Sequence, residues 1–266
     1  MNILSGPRKN SSQENEITET RSSLVSLIIP CYNEEESLPT LFGRLDELRE
    51  SIKEKPYQLE LVLVDDGSND ATWPKLQARF KKDPMVRLLR HKKNAGYGKA
   101  LKSGFFCACG MEIVTVDADT NYDLREIPAL LEHLGSGIDI VTGSPFLNKS
   151  NWHYPFHRMI LSRGVTILYR LILGHNARNI SVFTCGFRAY KREILASVLP
   201  IADDFLANAE ILVRSLLLQH TVVQFPTTVH MRLHGRSKIS IIRTIKSHLQ
   251  LLWKLWRDGV LPDVAP

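Results

Sequence analysis

The sequence predicts an α/β protein: a Rossmann-like, mostly parallel sheet with helices on both faces. Two observations predict it. Short, β-branched apolar runs recur from residue 24 to residue 141, and segments of helical spacing separate them. That alternation is the mark of βαβ units.

Leu24-Val-Ser-Leu-Ile-Ile-Pro30 is apolar and ends at a proline, so it reads as a buried strand. Leu38, Leu41, Phe42, Leu45 and Leu48 then share one helix face, with Glu36 or Ser37 able to serve its start. Leu59–Asp65 is the second strand. Asp70 is placed to cap a helix running through Leu76 and Phe80. Val86–Leu89 is a third strand, Gly96–Ala100 opens a third helix, and Ile113–Val116 is a fourth strand. Glu126–Leu134 reads as a helix and Ile138–Val141 as another strand.

With 266 residues, 44% hydrophobic and 23% charged, the chain can build one large core, with or without an appendage. Residues 1–23 are polar, lack the apolar stretch of a signal peptide, and are expected to form a loose, disordered tail. No apolar run approaches the roughly 18 residues of a membrane span, so a cytoplasmic, soluble or peripheral protein is expected. The cysteines (Cys31, Cys107, Cys109, Cys185) lack zinc-type spacing and read as thiols in a reducing compartment or as small buried residues.

The net charge is +6, and its distribution is uneven. Residues 140–192 hold no acid but eight lysines and arginines, among them Arg158, Arg163 and Arg188. Residues 211–257 are also acid-free and hold eight more, among them Arg232 and Lys238. Such segments fit an anionic partner better than a merely solvated basic surface.

In a parallel sheet, ligands bind beyond the carboxyl ends of the strands. Acids cluster there: Glu34-Glu35-Glu36, Asp65-Asp66, and Asp117 with Asp119. Crowded carboxylates repel unless something cationic joins them. Two carboxylates two positions apart at a strand end can both reach one Mg²⁺ or Mn²⁺, with Asn121 adding an oxygen and diphosphate oxygens filling other positions. The plainer reading of Asp-x-Asp is a turn or helix cap. No G-x-G-x-x-G follows the first strand, which argues against a dinucleotide-binding dehydrogenase.

Six segments occur in a telling order: Ile28–Glu34 (IIPCYNE), Val62–Asp70 (VLVDDGSND), Asn94–Ala100 (NAGYGKA), Val116–Asp119 (VDAD), Thr184–Tyr190 (TCGFRAY) and Arg232–Lys238 (RLHGRSK). Together they resemble glycosyltransferase family 2, in particular its dolichol-phosphate mannosyltransferase and polyprenyl-phosphate glycosyltransferase branch. The resemblance covers residues 24–238 and implies a GT-A domain there. It implies that Pro30, Tyr32 and Glu34 line a pocket for base and ribose, that Asp65 and Asp66 hold the base or ribose edge, and that Asp117, Ala118 and Asp119 lie at the sugar diphosphate. Asp117, Asp119 and Asn121 would hold the metal. Arg188 and Lys238 would meet the diphosphate or acceptor phosphate. Arg158, Ser162, Arg163 and Arg232 would meet the acceptor phosphate. Three departures stand out: Val182 replaces an Asp of the branch, Cys185 replaces a Ser, and Asp119–Asp123 (DTNYD) stands where many relatives have a Gln and a His.

The implied reaction is an inverting, metal-dependent transfer of a hexose, mannose or glucose, from a nucleotide-sugar donor to a polyprenyl or dolichyl phosphate. A phosphate monoester has its second pKa near 6, so it is largely dianionic at pH 7 and needs little help from a base. A non-lipid hydroxyl acceptor would need one, with Asp203, Asp204 or Glu210 as candidates. A non-catalytic nucleotide-sugar-binding subunit is a third reading, against which Asp117 and Asp119 argue.

Residues 148–173 mix aromatics and bases, as suits either a lipid-headgroup interface or an internal helix pair. In residues 239–266, Ile242, Ile245, Leu249, Leu252, Trp253 and Trp256 share a helical face beside Arg243, Lys246, Lys254 and Arg257. That predicts a basic amphipathic C-terminal helix, lying on a membrane surface or packed on the domain. The expected partners are thus the donor, the lipid phosphate, the cytosolic face of a membrane and a small membrane-anchoring subunit, with no nucleic acid.

Overall fold

The computed structural model describes residues 24–135, 137–147, 156–230, 246–251 and 253. The tail at 1–23, Trp152 and Tyr154, Arg232, Lys238 and the outer part of the C-terminal segment lie outside these residues, as do the side chains of residues 156–158.

Seven strands form one sheet: β1 (Leu24–Cys31), β2 (Gln58–Asp65), β3 (Val86–Arg90), β4 (Glu112–Thr115), β5 (Ile140–Ser144), β6 (Arg188–Lys191) and β7 (Val222–Pro226). Their order is β3-β2-β1-β4-β6-β5-β7. Pairing is parallel except that β6 runs antiparallel to both β4 and β5. The mostly parallel sheet expected from sequence is present. β1 and β2 are buried over almost their full length, as continuous apolar strands covered on both faces should be.

Helices cover the sheet: α1 (Leu38–Ile52), α2 (Thr72–Phe80), α3 (Tyr97–Cys107), α4 (Ile127–His133), α5 (Phe156–Leu173), α6 (Arg192–Val198) and α7 (Leu206–Leu217). The predicted face of α1 is the buried one, with Leu38, Leu41, Leu45 and Leu48 inside. The Ser37 hydroxyl, however, donates to Glu34 Oε2 (2.8 Å) rather than accepting from the helix. At α2 the N-cap is Ala71, not Asp70, and carries no side-chain cap; Asp70, one residue earlier, accepts from Thr72 N–H (2.9 Å) at the helix start. Within β2, Glu60 is buried. Burial would raise its pKa, but hydrogen bonds from Ser26, the Cys109 N–H and Arg87 outweigh that and hold it low.

One core cluster lies between the sheet and α1, α2 and α4, another between the sheet and α3, α6 and α7. A third joins α5 to α7 through Tyr169, Phe183 and Leu212, and it includes Leu251. No helix among the described residues is long and apolar enough to cross a membrane.

The described part of the C-terminal segment is helical and packs on the domain. His248 and Leu251 face inward, while Leu249 and Trp253 are exposed. His248 Nδ1 meets Tyr169 Oη at 2.9 Å. Burial holds its pKa at about 4, with Asp204 pulling weakly the other way. In the unfolded chain a histidine titrates near 6.5. The docked neutral ring therefore contributes its full stability above about pH 6.5, and that contribution is lost as pH falls toward 4. The loss should be on the order of 2 kcal/mol. Melting curves from pH 7 to pH 4.5 check this: His248→Gln should flatten the acid decline, and an identical decline in both proteins would refute it.

Candidate functional site

The carboxyl edge of the parallel strands gathers the loops after β1, β2, β3 and β4. Because β6 runs the other way, its start comes to the same edge, with Thr115 opposite Arg188. Thr115 Oγ1 also donates to the Gly186 carbonyl (2.7 Å).

The first two loops are zipped together. Asn33 N–H donates to Ser68 Oγ (2.9 Å), Asn69 N–H to Asn33 Oδ1 (2.9 Å), and Glu34 N–H to Thr72 Oγ1 (2.8 Å). Glu35 accepts from Ala71 N–H (2.9 Å), and Glu35 N–H donates to Asp70 (3.2 Å). Pro30 is buried, Tyr32 half-buried, and Glu34 receives the Ser37 hydroxyl.

Asp65 and Asp66 are both buried. Asp65 accepts from Ser68 N–H (3.1 Å), and Arg90 Nε lies 3.1 Å from its other oxygen. Asp66 accepts from Ala95 N–H (3.0 Å) and Gly96 N–H (2.8 Å) and meets His91 Nδ1 at 2.6 Å. His91 Nε2 in turn meets Ser103 Oγ at 2.9 Å. The edge acids are thus mostly satisfied one by one by loop donors. Among the described residues no three His, Cys, Asp or Glu side chains gather as a metal-binding group.

The remaining acids of this edge are Asp117 and Asp119. They follow β4, with Ala118 buried between them. Asp119 accepts from the N–H and the side-chain amide of Asn121 (3.2 and 2.6 Å). Thr120 between them has φ of +58°, unusual for a β-branched residue. Arg44 of α1 braces this turn by donating to the carbonyls of Thr120 and Tyr122. Asn121 Oδ1 is buried with no hydrogen-bond partner. A buried acceptor without a partner costs stability, so it marks a place where something is missing. Two carboxylates and one amide oxygen suit a hard cation that takes its remaining ligands from phosphate and water. The residues fit Mg²⁺ or Mn²⁺.

Arg188 begins β6, opposite Thr115 at the same edge. It is fully buried. Its Nε donates to Thr142 Oγ1 (3.1 Å), Nη1 to the Asn208 carbonyl (2.5 Å) and Nη2 to the Phe183 carbonyl (2.7 Å). A guanidinium so engaged ties β5, α7 and the 183–188 segment together. Val182 and Cys185 also belong to the core, and Cys185 Sγ lies 3.3 Å from Tyr122 Oη.

On α5, Ser162 is buried, and its Oγ has no hydrogen-bond partner. Arg163 beside it is exposed and lies over the Phe146 ring (5.3 Å). Arg158 lies on the same helix. Arg232 and Lys238 fall outside the described residues.

Sequence reasoning missed the contact that reaches Asp117. Tyr97 Oη donates to Asp117 Oδ1 (2.9 Å), and Asn208 Nδ2 donates to Tyr97 Oη (3.3 Å). Tyr97 lay within a noted motif, but nothing in the sequence pointed to Asn208.

The glycosyl transferase family 2 model matches residues 26–199. The dolichol-phosphate mannosyltransferase of Pyrococcus furiosus is 34% identical over 236 residues, which are 88% of this chain and 64% of that one. The chain thus spans under two thirds of that relative's length. The polyprenol monophosphomannose synthase of Mycolicibacterium smegmatis is 30% identical over 245 residues, 88% of each chain. Among solved structures, glucosyl-3-phosphoglycerate synthase of Mycobacterium tuberculosis, in complex with Mn²⁺, UDP and glucosyl-3-phosphoglycerate, aligns with a TM-score of 0.64 at 20% identity. That alignment covers 97% of this chain and 88% of the other, and it bears on the GT-A fold. Since the family's model takes in the sheet from β1 to β6 together with the Asp117–Asn121 turn, this chain belongs to glycosyl transferase family 2.

Proposed function

We propose that the protein transfers a hexose, mannose before glucose, from a nucleoside-diphosphate sugar to a polyprenyl or dolichyl phosphate, with inversion and with Mg²⁺ or Mn²⁺. The observation that carries this reading is the turn after β4 at the sheet's carboxyl edge, where Asp119 accepts from the Asn121 amide, whose own Oδ1 is buried without a partner. The names of the two relatives support the acceptor class and rank mannose first.

Pro30, Tyr32 and Glu34 offer a ring and a carboxylate to the nucleoside, beside the loop that Asp65 and Asp66 hold rigid. Asp117, Asp119 and Asn121 would hold the cation, which when bound offsets charge on the leaving diphosphate. Ser162 and Arg163, with Arg158 and Arg232, receive the acceptor phosphate; the partnerless Ser162 hydroxyl beside an exposed guanidinium supports that role. Lys238 meets a phosphate from the segment that follows β7. An acceptor phosphate oxygen attacks the anomeric carbon as the bond to the diphosphate oxygen breaks on the opposite face. Arg188 has no part in this step; its work is in the scaffold.

A hydroxyl acceptor would need a general base, and the three candidates are committed elsewhere. Glu210 accepts from Ile201 and Ala202 N–H (3.1 and 2.9 Å), Asp203 pairs with Lys102 (2.7 Å), and Asp204 accepts from Leu206 N–H and the Ser247 hydroxyl (both 3.0 Å). A dianionic phosphate needs no such base.

The acceptor places the protein at the cytosolic face of a membrane. α5 exposes Ile160, Ile167, Leu168, Leu171 and Ile172 on its outer side, and Leu249 and Trp253 are exposed on the C-terminal segment. Apolar faces of this kind next to basic segments suit a lipid interface.

The test is to incubate the purified protein with GDP- and UDP-sugars, Mn²⁺ and a short polyprenyl phosphate, and to follow sugar transfer by mass spectrometry. A glycosyl phosphodiester should form with one donor and disappear in EDTA. Transfer to a hydroxyl acceptor but not to the lipid phosphate would overturn the reading.

A further inference from the structure

We propose that Tyr97 is a positioning residue that fixes the carboxylate of Asp117, and that Phe205 and Asn208 hold Tyr97 in place. The proposal rests on the reading of Asp117 as a ligand of a divalent cation.

Four elements far apart in sequence meet at one hydroxyl. Tyr97 is the first residue of α3, and the first turn of that helix lies against the backbone of residues 202–203. Gly98 N–H donates to the Asp203 carbonyl (2.8 Å). A Cβ at Gly96 or Gly98 would strike that backbone, and Gly96 has φ of +101°. The close approach therefore requires glycine at both places. It brings Phe205 over the Tyr97 ring, stacked at 4.4 Å between centroids with 13° between planes. The ring is held face-on and cannot swing without breaking the stack.

The hydroxyl is fixed as well. Asn208 Nδ2 donates to Tyr97 Oη at 3.3 Å, so an incoming proton occupies one side of that oxygen. The tyrosine's own proton then goes to Asp117 Oδ1 at 2.9 Å. Space for the three polar groups comes from Gly186: a Cβ there would lie 2.9 Å from Tyr97 Oη, 3.1 Å from Asp117 Oδ1 and 3.2 Å from Asn208 Nδ2. A hydrogen bond to a charged acceptor is stronger and more directional than one between neutral groups. A ligand carboxylate oriented by an outer partner binds its metal better than one left to rotate, and loss of such a partner costs about 10–100-fold in affinity.

Asn208 is itself anchored, because its carbonyl receives Arg188 Nη1. The buried arginine thus acts on the cation site at two removes, through Asn208 and then Tyr97.

The test compares wild type with Tyr97→Phe, which keeps the stacked ring and removes only the hydroxyl. Mn²⁺ is titrated by calorimetry in the presence of GDP or UDP, whichever binds, and the melting temperature is measured without metal. The apparent Mn²⁺ affinity should fall roughly 10-fold, saturating Mn²⁺ should restore nucleotide binding and turnover, and the metal-free melting temperature should fall by only about 5 °C, the cost of leaving the Asn208 amide without its acceptor. A metal-dependent wild type with an unchanged Mn²⁺ affinity in Tyr97→Phe would overturn the proposal alone. Nucleotide binding by wild type that ignores Mn²⁺ would overturn the cation reading and the proposal with it. If Tyr97→Phe instead melts far below wild type, with the affinity loss not rescued by Mn²⁺, the tyrosine is structural and the positioning role fails.

Discussion

Replacing Arg188 by Met should lower the melting temperature by roughly 10 °C, in the absence of any ligand. The side chain is fully buried and donates to Thr142 Oγ1 and to the carbonyls of Asn208 and Phe183. Methionine fills much of the same volume but leaves those acceptors without donors. Each stranded buried acceptor costs about 1–3 kcal/mol, so the three together cost at least about 3 kcal/mol. For a chain of this size a kcal/mol moves the midpoint by about 2–4 °C. The resemblance alone placed Arg188 at a phosphate, and that reading makes the opposite forecast: an intact fold with lost nucleotide binding. Thermal denaturation and nucleotide titration on one preparation separate the two. An unchanged melting temperature with abolished binding would return Arg188 to the ligand.

Part of this architecture was legible in the sequence for simple reasons. β1 and β2 are buried on both faces, so their apolar runs are nearly unbroken. α1 turns one face to the sheet, so Leu38, Leu41, Leu45 and Leu48 recur at helical spacing. β6 offers no such signal. It has four residues, begins with a charged one, and is buried because neighbouring strands cover it. Residues 216–225 divide between the end of α7 and β7, with Gln219 at φ of +62° making the break, which no apolar spacing marks.

The site divides along the same line. The motif-bearing loops sit at the predicted edge because strand ends in a parallel sheet share one side. The contacts these acids make between loops are not written in the local sequence. Asp66 looks like Asp119 in the sequence, yet backbone N–H groups of Ala95 and Gly96 claim it. Arg188 looks like a phosphate ligand until the carbonyls of Phe183 and Asn208 are seen around it. The Tyr97–Asn208 contact spans 111 positions, and no local pattern reports a contact of that range.

Replacing Asp119 by Asn should lower turnover by a factor on the order of 10²–10³ while sparing the fold. The residue ends the turn after β4, where its carboxylate is held by the N–H and side-chain amide of Asn121. Asparagine keeps the size and one acceptor oxygen, so the turn can survive, but it removes a full negative charge from an oxygen-only donor set. A hard divalent cation depends on that charge. Loss of charge stabilisation at a developing anion is worth about 3–4 kcal/mol, which is the rate factor given. The melting temperature without metal should hold or rise, since one of two close carboxylates has been neutralised. The stabilisation that nucleoside diphosphate and Mn²⁺ together confer on wild type should largely vanish, because a ligand raises the midpoint only in proportion to its binding to the folded state. Turnover at wild-type level in Asp119→Asn, or in EDTA, would remove the cation from the mechanism. Asp119 would then be a turn residue that holds Asn121.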